Sequence, residues 1–138
     1  MTKILCAIDD TEHSKPAIDL AAKLAQALDA ELTILVVNQL IGGYGRAGGS
    51  TLVWTSAEVE KALSGAAAEA KKGGASKLKV VNAESRDVAR AITTYAEDNH
   101  YDQIVVGTGG KGAMSRMMLG SVSGDVVQRA HCPVTVAR

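Results

Sequence analysis

The residues of this chain that could do chemistry are densest in a glycine-rich segment close to its carboxyl end. The segment contains Gly107–Gly112 and, seven residues further on, Gly120–Ser123. Glycines allow main-chain N–H groups to approach an anion closely, because no Cβ stands in the way. A helix that begins near Ser121 would add unpaired N–H groups and the positive end of its dipole, and the hydroxyls of Ser121 and Ser123 can donate to phosphate oxygens. The segment therefore predicts a phosphate site, although glycine density alone is also typical of a flexible loop.

Two widespread phosphate-binding motifs do not account for this segment. A P-loop requires a Gly-Lys-Ser or Gly-Lys-Thr triplet, and the chain contains neither. The dinucleotide-binding pattern matches by letters at Gly107, Gly109 and Gly112, but Ala113–Leu119 separates it from the predicted helix. It also follows the fourth predicted strand, and too little chain remains for the acidic residue that such sites place about 20 residues further on. The sequence therefore argues against both motifs.

Short apolar runs alternate along the whole chain with stretches of helical periodicity. The runs predict five strands, at Ile4–Ile8, Leu32–Val37, Leu78–Val81, Ile104–Val106 and Pro133–Val136, the last of them at an edge of the sheet. Helices are predicted over residues 14–28, from a capping box at Thr55 to about residue 72, from Ser85, and over residues 121–130 with Val122, Val126 and Ala130 facing inward. This alternation predicts one domain over residues 1–138, an α/β fold with a parallel sheet between two layers of helices.

In a fold of this kind the loops that follow the strands bind the ligand. The crevice lies beyond the carboxyl ends of the strands, where the strand order reverses. Asp9 and Asp10 follow the first predicted strand, and Gly107 opens the loop after the fourth. A second glycine-rich stretch, Gly42–Gly49, is predicted to be a loop without regular structure.

Composition argues against several classes of function. Fifteen basic and fifteen acidic side chains cancel, which disfavours binding to nucleic acid or to an anionic membrane surface. Aromatic residues make up 3% of the chain, so the core must consist of Val, Ile, Leu and Ala. Cys6 and Cys132 are predicted to be buried reduced thiols. No apolar run reaches the roughly 18 residues of a membrane helix and no signal peptide opens the chain, so we expect a cytoplasmic protein without membrane insertion.

No pair of nucleophile and base can be read from the sequence. His13, His100 and His131 lack the spacing of metal ligands. His131 and Cys132 are adjacent, and adjacent side chains of an extended segment point apart, so they do not form a nucleophilic pair. The sequence therefore gives no support for a robust hydrolase or kinase.

A third glycine pattern fits the segment at every position. Two residues separate Gly107 from Gly110, nine separate Gly110 from Gly120, and Ser121 follows directly. This spacing resembles the nucleotide-binding signature of the universal stress protein family. The resemblance extends over essentially the whole chain outside residues 42–54, and it is carried also by Cys6–Ser14, Ile104–Gly107 and Cys132–Val136.

The resemblance implies a five-stranded parallel sheet of order 3-2-1-4-5, which brings Asp9 and Gly107 into one crevice. It also implies ATP binding, with AMP left open because the signature does not count phosphates. Val37 would pack on the adenine, and Asp9 would lie beside the nucleoside and face a phosphate-bound Mg²⁺. Asp9 as a cap of the first helix, and Arg116 as part of a solvated basic loop, remain open alternatives. The nucleotide-binding residues implied on this chain are Ala7, Asp9, Val37, Gly107, Thr108, Gly110, Arg116, Gly120, Ser121, Val122 and Ser123.

Three functions follow from these observations. The first is an ATP-binding stress-response or regulatory module whose partner affinity or oligomeric state changes with nucleotide occupancy. The second is a slow ATPase or phosphotransferase in which Asp9 or Asp10 places a metal or a water. The third is a nucleotide-free adaptor that acts through protein contacts alone. The resemblance further implies a homodimer through the last edge strand, Pro133–Val136, which would otherwise leave an apolar edge open.

Overall fold

The computed structural model describes residues 1–9, 14–43, 48–108 and 120–138. The strands are β1 (Lys3–Ile8), β2 (Glu31–Gly42), β3 (Ser50–Leu52), β4 (Leu78–Ser85), β5 (Gln103–Gly107) and β6 (Val134–Ala137). The helices are α1 (Lys15–Leu28), α2 (Ser56–Lys72), α3 (Val88–Asp98) and α4 (Ser121–Arg129).

Five of the strands form a parallel sheet in the order β4-β2-β1-β5-β6. With the strands numbered as the sequence predicted them, this is the order 3-2-1-4-5, so the predicted architecture is confirmed. The strand β3 was not predicted. It pairs antiparallel with the end of β2, with Leu40 opposite Leu52 and Gly42 opposite Ser50.

The boundary between β2 and the glycine-rich stretch differs from the prediction. The second strand continues past Val37 to Gly42, so the stretch predicted as a loop begins within a strand. Within this extension, the side-chain amide of Asn38 donates to Trp54 O at 2.8 Å and its Oδ1 accepts from Trp54 N at 3.0 Å. These two bonds hold the chain after β3 against β2. Residues 44–47 of the predicted loop lie outside the described residues.

The third predicted strand and the helix after it also shift along the chain. Pairing with β2 extends β4 to Ser85, beyond the predicted end at Val81. The prediction that a helix begins at Ser85 is therefore wrong. The helix α3 begins at Val88, because the carboxylate of Asp87 accepts from the N–H of Arg90 at 3.1 Å and caps it there.

Two apolar layers lie on either side of the sheet, as the alternation of side chains along β1 shows. Ile4, Cys6 and Ile8 pack with α1 and α2 on one face, whereas Leu5 and Ala7 pack with α3 on the other. Alanines supply much of the buried surface of the helices, which lets them approach the sheet closely. The predicted core of Val, Ile, Leu and Ala is confirmed, with Tyr101 added at its margin.

The structure contains most of the helix features that the sequence predicted. The capping box of α2 is present, with Glu58 N donating to Thr55 Oγ1 at 3.2 Å and Thr55 N donating to Glu58 Oε1 at 3.1 Å. Val126 of α4 is fully buried. Val122 was predicted to face inward, but it is 39% exposed, because the first turn of α4 stands at the mouth of a cleft.

Cys6 is buried and Cys132 is half-buried, and both are free thiols. Within the four described ranges, no helix has the length and apolar character needed to cross a bilayer.

Candidate functional site

A cleft of about 290 Å³ opens where β1 and β5 end. The neighbours of β1 in the sheet are β2 and β5, and the chain reaches them by connections that run in opposite directions. This is the point of strand-order reversal at which open parallel sheets bind ligands. The described residues that line the cleft are Ala7, Ile8, Asp9, Ser14, Val37, Val88, Ile92, Val106, Gly107, Thr108, Gly120, Ser121, Val122 and Ser123.

The fold brings together most of the residues that the sequence singled out. Nine of the eleven predicted nucleotide-binding residues line this one cleft: Ala7, Asp9, Val37, Gly107, Thr108, Gly120, Ser121, Val122 and Ser123. They come from four parts of the chain: the ends of β1 and β5, the interior of β2 and the start of α4. The other two, Gly110 and Arg116, lie outside the described residues. The assembly of these residues is a finding, while their contact with nucleotide stays a prediction.

Gly120 allows the start of α4 to lie directly against the end of β5. A Cβ placed on Gly120 would lie 2.5 Å from the carbonyl oxygen of Thr108, a distance that real Cβ atoms do not reach. The backbone of Gly120 has φ −64°, which any residue can adopt. Glycine is therefore needed here for close approach rather than for an unusual conformation.

The first turn of α4 presents main-chain N–H groups and hydroxyls at the cleft. Among the residues that the structure describes, no side chain caps this helix, which begins at Ser121 after Gly120. Its first N–H groups thus have no capping partner within the described ranges, and they carry the positive end of the helix dipole. The hydroxyl of Ser123 is buried and donates to the carbonyl oxygen of Gly120 at 3.1 Å. Ser121 is exposed, so of these two predicted phosphate donors it is the more accessible.

Asp9 lies at the rim of the cleft and is bonded to Ser14. The Ser14 hydroxyl donates to Asp9 Oδ1 at 2.9 Å, and the main-chain N–H of Asp9 donates to Ser14 Oγ at 3.2 Å. Ser14 is the residue that precedes α1. The alternative that Asp9 caps the first helix thus takes an indirect form, in which its carboxylate contacts the side chain at the N-cap position.

Sequence reasoning missed five of the lining residues: Ile8, Ser14, Val88, Ile92 and Val106. Val88 and Ile92 are four positions apart on α3, a spacing that puts both on one face of the helix. Ile92 serves two purposes, since it is buried in the second apolar layer and also lines the cleft. In a single sequence, a core residue that also forms the floor of a cleft cannot be distinguished from any other core residue.

The described wall of the cleft is mostly apolar and carries little charge. Asp9 is the single ionisable side chain among the described lining residues. No group of three or more His, Cys, Asp or Glu side chains that could hold a metal occurs in the described part of the chain. Within that part, an anion at the cleft would have only N–H groups and hydroxyls to bind it, and a metal would need ligands beyond Asp9.

A second cavity, of about 370 Å³, lies at the opposite, amino end of the sheet. Three lysines and Glu31 are in its wall. Lys77 pairs with Asp29 at 3.1 Å, and the ammonium of Lys3 donates to the carbonyl oxygen of Asn99 at 2.6 Å. The carboxylates of Asp29, which pairs with Lys77, and of Glu31 in the wall offset two of the three ammonium charges, so this cavity lacks the concentrated positive charge of an anion site.

The sheet order and the cleft together define an open α/β protein with a binding crevice at its switch point. The sequence profile of the universal stress protein family matches residues 1–138, and the chain belongs to that family. It is 34% identical to universal stress protein YxiE of Bacillus subtilis, over 99% of this chain and 98% of the relative.

Solved structures with the same fold include two nucleotide complexes. A universal stress protein in complex with cAMP matches with a TM-score of 0.77 and 22% identity, over 99% of this chain and 97% of that one. The universal stress protein of Archaeoglobus fulgidus in complex with dAMP matches with a TM-score of 0.76 and 24% identity, over 100% of this chain and 98% of that one. At these identities the likeness establishes the fold.

Proposed function

We propose that this universal stress protein binds an adenine nucleotide, ATP in the first instance, in the cleft between β1, β5 and α4. The observation that carries the proposal is the meeting of two different surfaces in one crevice. An apolar slot lies beside the exposed start of a helix, and nucleotides combine an apolar base with an anionic tail. Occupancy would then change the affinity of the protein for a partner or for a second copy of itself.

The apolar slot suits a purine base. Val37 comes from one strand, while Val88 and Ile92 come from the helix that faces it, so that aliphatic side chains flank the space from both sides. Burial of a flat ring between such groups is favourable by roughly 25 cal/mol per Å² of apolar surface removed from water.

The start of α4 suits phosphate oxygens. Gly120 and Ser121 place the N-terminal N–H groups and one accessible hydroxyl at the cleft, and the helix has nine residues over which its dipole develops. The contact between Gly120 and Thr108 fixes this helix end against β5. Each hydrogen bond to a charged group contributes roughly 1.5–3 kcal/mol, so three or four such bonds are consistent with micromolar affinity.

The solved structures of the same fold do not indicate how many phosphates the ligand of this chain carries. Two proteins of the same fold were solved with cAMP and dAMP. We therefore include AMP and cAMP as competing ligands. We propose an Mg²⁺ ion only together with ATP. The two oxygens of the Asp9 carboxylate do not complete the coordination of Mg²⁺, so the phosphates of ATP would have to supply further ligands.

Isothermal titration calorimetry with ATP, AMP and cAMP, each with and without Mg²⁺, tests the proposal. Gly120→Val should weaken binding by about 10-fold or more, because its side chain would force Thr108 and the helix start apart. Gly49→Val is the matched control, since a Cβ at Gly49 meets nothing within 4 Å. Circular dichroism and urea unfolding would establish that both variants fold. Unaltered affinity in Gly120→Val, or no binding to the wild-type protein, would contradict the proposal.

The same preparation distinguishes binding from turnover. In the described wall of the cleft, Asp9 is the single ionisable group, and its carboxylate accepts a hydrogen bond from the Ser14 hydroxyl. We therefore expect phosphate release from ATP at the chemical background rate. Turnover that is lost in Asp9→Ala would favour the slow ATPase instead.

The proposal includes a homodimer formed through β6. This strand lies at one edge of the parallel sheet and has the sequence Val-Thr-Val-Ala, without a charged residue. Uncharged edges of this kind pair readily with a second chain.

A further inference from the structure

Ile92 lies at the deep end of the cleft, on the side of the cleft that α3 forms. It follows Val88 by four residues, and both side chains line the cleft. The helix α3 connects two parallel strands, β4 and β5, so it runs from the carboxyl ends of the strands back toward their amino ends. Four residues advance a helix by about 6 Å, which places Ile92 deeper than Val88. Burial agrees with this order, since Val88 is half-buried and Ile92 is 3% exposed.

The sheet side of the cleft ends in the same apolar layer. Ala7 and Val106 line the cleft and lie opposite each other in adjacent strands. The next residues on that face toward the amino ends, Leu5 and Ile104, are fully buried and do not line the cleft. All four residues pack with Ile92 in the second apolar layer. The slot is therefore closed at its deep end by a packed core, which accommodates additional atoms only at a cost in stability.

We propose that Ile92 is a specificity-determining residue that limits the size of the base in the cleft. The inference rests on the proposed nucleotide site and states which bases that site admits. The edge of the purine that enters the slot meets an aliphatic side chain with packed core behind it. An unsubstituted purine fits against this side chain. A purine with a bulky group on the inserted edge is held away from the apolar walls, and its nucleotide binds more weakly.

The size of the effect follows from the behaviour of closed apolar pockets. One methylene too many or too few changes the discrimination of such a pocket by roughly 10- to 200-fold. A benzyl group is much larger than a methylene, so we expect its exclusion to reach at least about 10-fold. Ile92→Ala removes the side chain beyond Cβ and should open space at the deep end of the slot, beside the small side chain of Ala7.

Calorimetry with ATP and three analogues, N6-benzyl-ATP, 2-benzylthio-ATP and 8-benzylthio-ATP, tests the inference. The three analogues carry the bulky group on different edges of the base, so one of them directs it into the slot. The wild type should bind that analogue at least about 10-fold more weakly than ATP. In Ile92→Ala the ratio of the two dissociation constants should fall by about 10-fold or more. The ratio is the readout because a general loosening of the cleft would affect both ligands alike.

Val126→Ala is the matched control. Val126 is fully buried in the same apolar layer as Ile92 but does not line the cleft. This variant also loses core packing, yet its ratio should equal that of the wild type. Ile92→Val is a milder second variant, which decides the question if circular dichroism shows that Ile92→Ala does not fold. It should reduce the exclusion of the methyl or methylthio analogue substituted at the same position of the base.

The outcomes separate this inference from the proposed function. If the wild type binds ATP and binds all three bulky analogues equally well, no edge of the base meets a closed floor, and the inference is overturned. An unchanged ratio in the Ile92 variants, or an equal change in Val126→Ala, would also overturn it. In each of these cases the nucleotide site itself stands. If the wild type binds no adenine nucleotide, the proposed function and this inference fail together.

Discussion

The two cysteine thiols differ in burial, and their reactivity should differ accordingly. Burial raises the pKa of Cys6 to about 12. Burial also raises the pKa of Cys132, to which the nearby charge of Asp102 adds, but this side chain is only half-buried. The thiolate is the reactive form, so little of either thiol is reactive at neutral pH.

We predict that a disulfide reagent at pH 8 modifies Cys132 slowly and leaves Cys6 intact in the folded protein. In denaturant both thiols should react at the rate of a free cysteine. Cys132→Ser is the control, because it should remove the reaction of the native state altogether. Rapid modification of Cys6 in the folded protein would show that β1 opens far more readily than its burial indicates.

Because of Tyr101, the free energy of unfolding should fall as the pH rises into the alkaline range. Its hydroxyl is buried and donates to Thr33 Oγ1 at 2.6 Å. Burial raises its pKa to about 12, outweighing the opposing effect of the bond to Thr33, whereas an unfolded tyrosine titrates at about 10. The neutral hydroxyl is thus favoured by folding. Its contribution is complete below about pH 10 and is lost as the pH rises toward about 12.

Urea unfolding of the wild type and of Tyr101→Phe at pH 7, 10 and 11.5 measures this contribution. At pH 7 the free energy of unfolding of Tyr101→Phe should be about 1–2 kcal/mol lower than that of the wild type, because the Thr33 hydroxyl loses its partner. The difference between the two proteins should shrink as the pH rises above 10, because only the wild type must ionise the phenol on unfolding. A difference that stays constant up to pH 11.5 would contradict the raised pKa.

At the scale of elements, Asn38 holds the chain that follows β3 against β2. Its side chain is buried and satisfies both the N–H and the carbonyl of Trp54. Asn38→Ala should lower the free energy of unfolding by about 2–4 kcal/mol, because two main-chain groups lose their partners. Asn38→Asp can still accept from Trp54 N but cannot donate to Trp54 O, so it too should be destabilised.

The neighbouring Gln39→Ala is the control for both Asn38 variants. Gln39 is exposed, and its bond to Arg86 O is long, at 3.3 Å. Its replacement should change the stability by less than about 0.5 kcal/mol. Equal stability of Asn38→Ala and Gln39→Ala in urea would mean that the two bonds to Trp54 contribute nothing.

The elements that sequence predicted well are those whose pattern is local. The apolar runs of β1 and β5 mark strands covered on both faces, and Thr55 and Glu58 mark the start of α2 within one turn. The extension of β2 and the existence of β3 depend instead on pairing between segments that are distant in sequence. Gly42 is paired with Ser50 as the last residue of β2, although its φ of +75° is one that favours glycine rather than the extended geometry of a strand.

The same division applies to the candidate site. The glycine pattern located Gly107 and Gly120, and the resemblance to a family supplied the strand order that brings Asp9 beside them. Periodicity alone does not give that order. Ser14 could not be recognised, since a serine before a helix is expected to cap it, and the role of its hydroxyl depends on where the end of β1 lies in space.

At the scale of the whole molecule, the two edges of the parallel sheet are unlike. The outer strand β4 carries Lys79 and Glu84 as exposed charged side chains along its length, which oppose pairing with a second chain. The other outer strand, β6, has no charge, and its valines are partly exposed. The proposed homodimer should therefore form through β6 rather than through β4.

The register of β6 allows this prediction to be tested amide by amide. Ile104 N donates to Pro133 O, and Ile104 and Val106 lie opposite Val134 and Val136. In a parallel ladder the main-chain groups of Val134 and Val136 then point away from β5. We expect their amides to exchange slowly with solvent in a β6-paired dimer and rapidly in a monomer, whereas the inward amide of Thr135 is protected in both.

Hydrogen exchange followed by NMR at several protein concentrations, with the mass measured by light scattering, decides between the two states. Protection of the two outward amides should rise with concentration in step with the dimer fraction, and Thr135 should serve as the internal control. A particle of twice the monomer mass in which these amides still exchange rapidly would place the dimer interface elsewhere. A monomer at every concentration would remove the homodimer from the proposed function, because nucleotide occupancy could then act only on the affinity for a different partner.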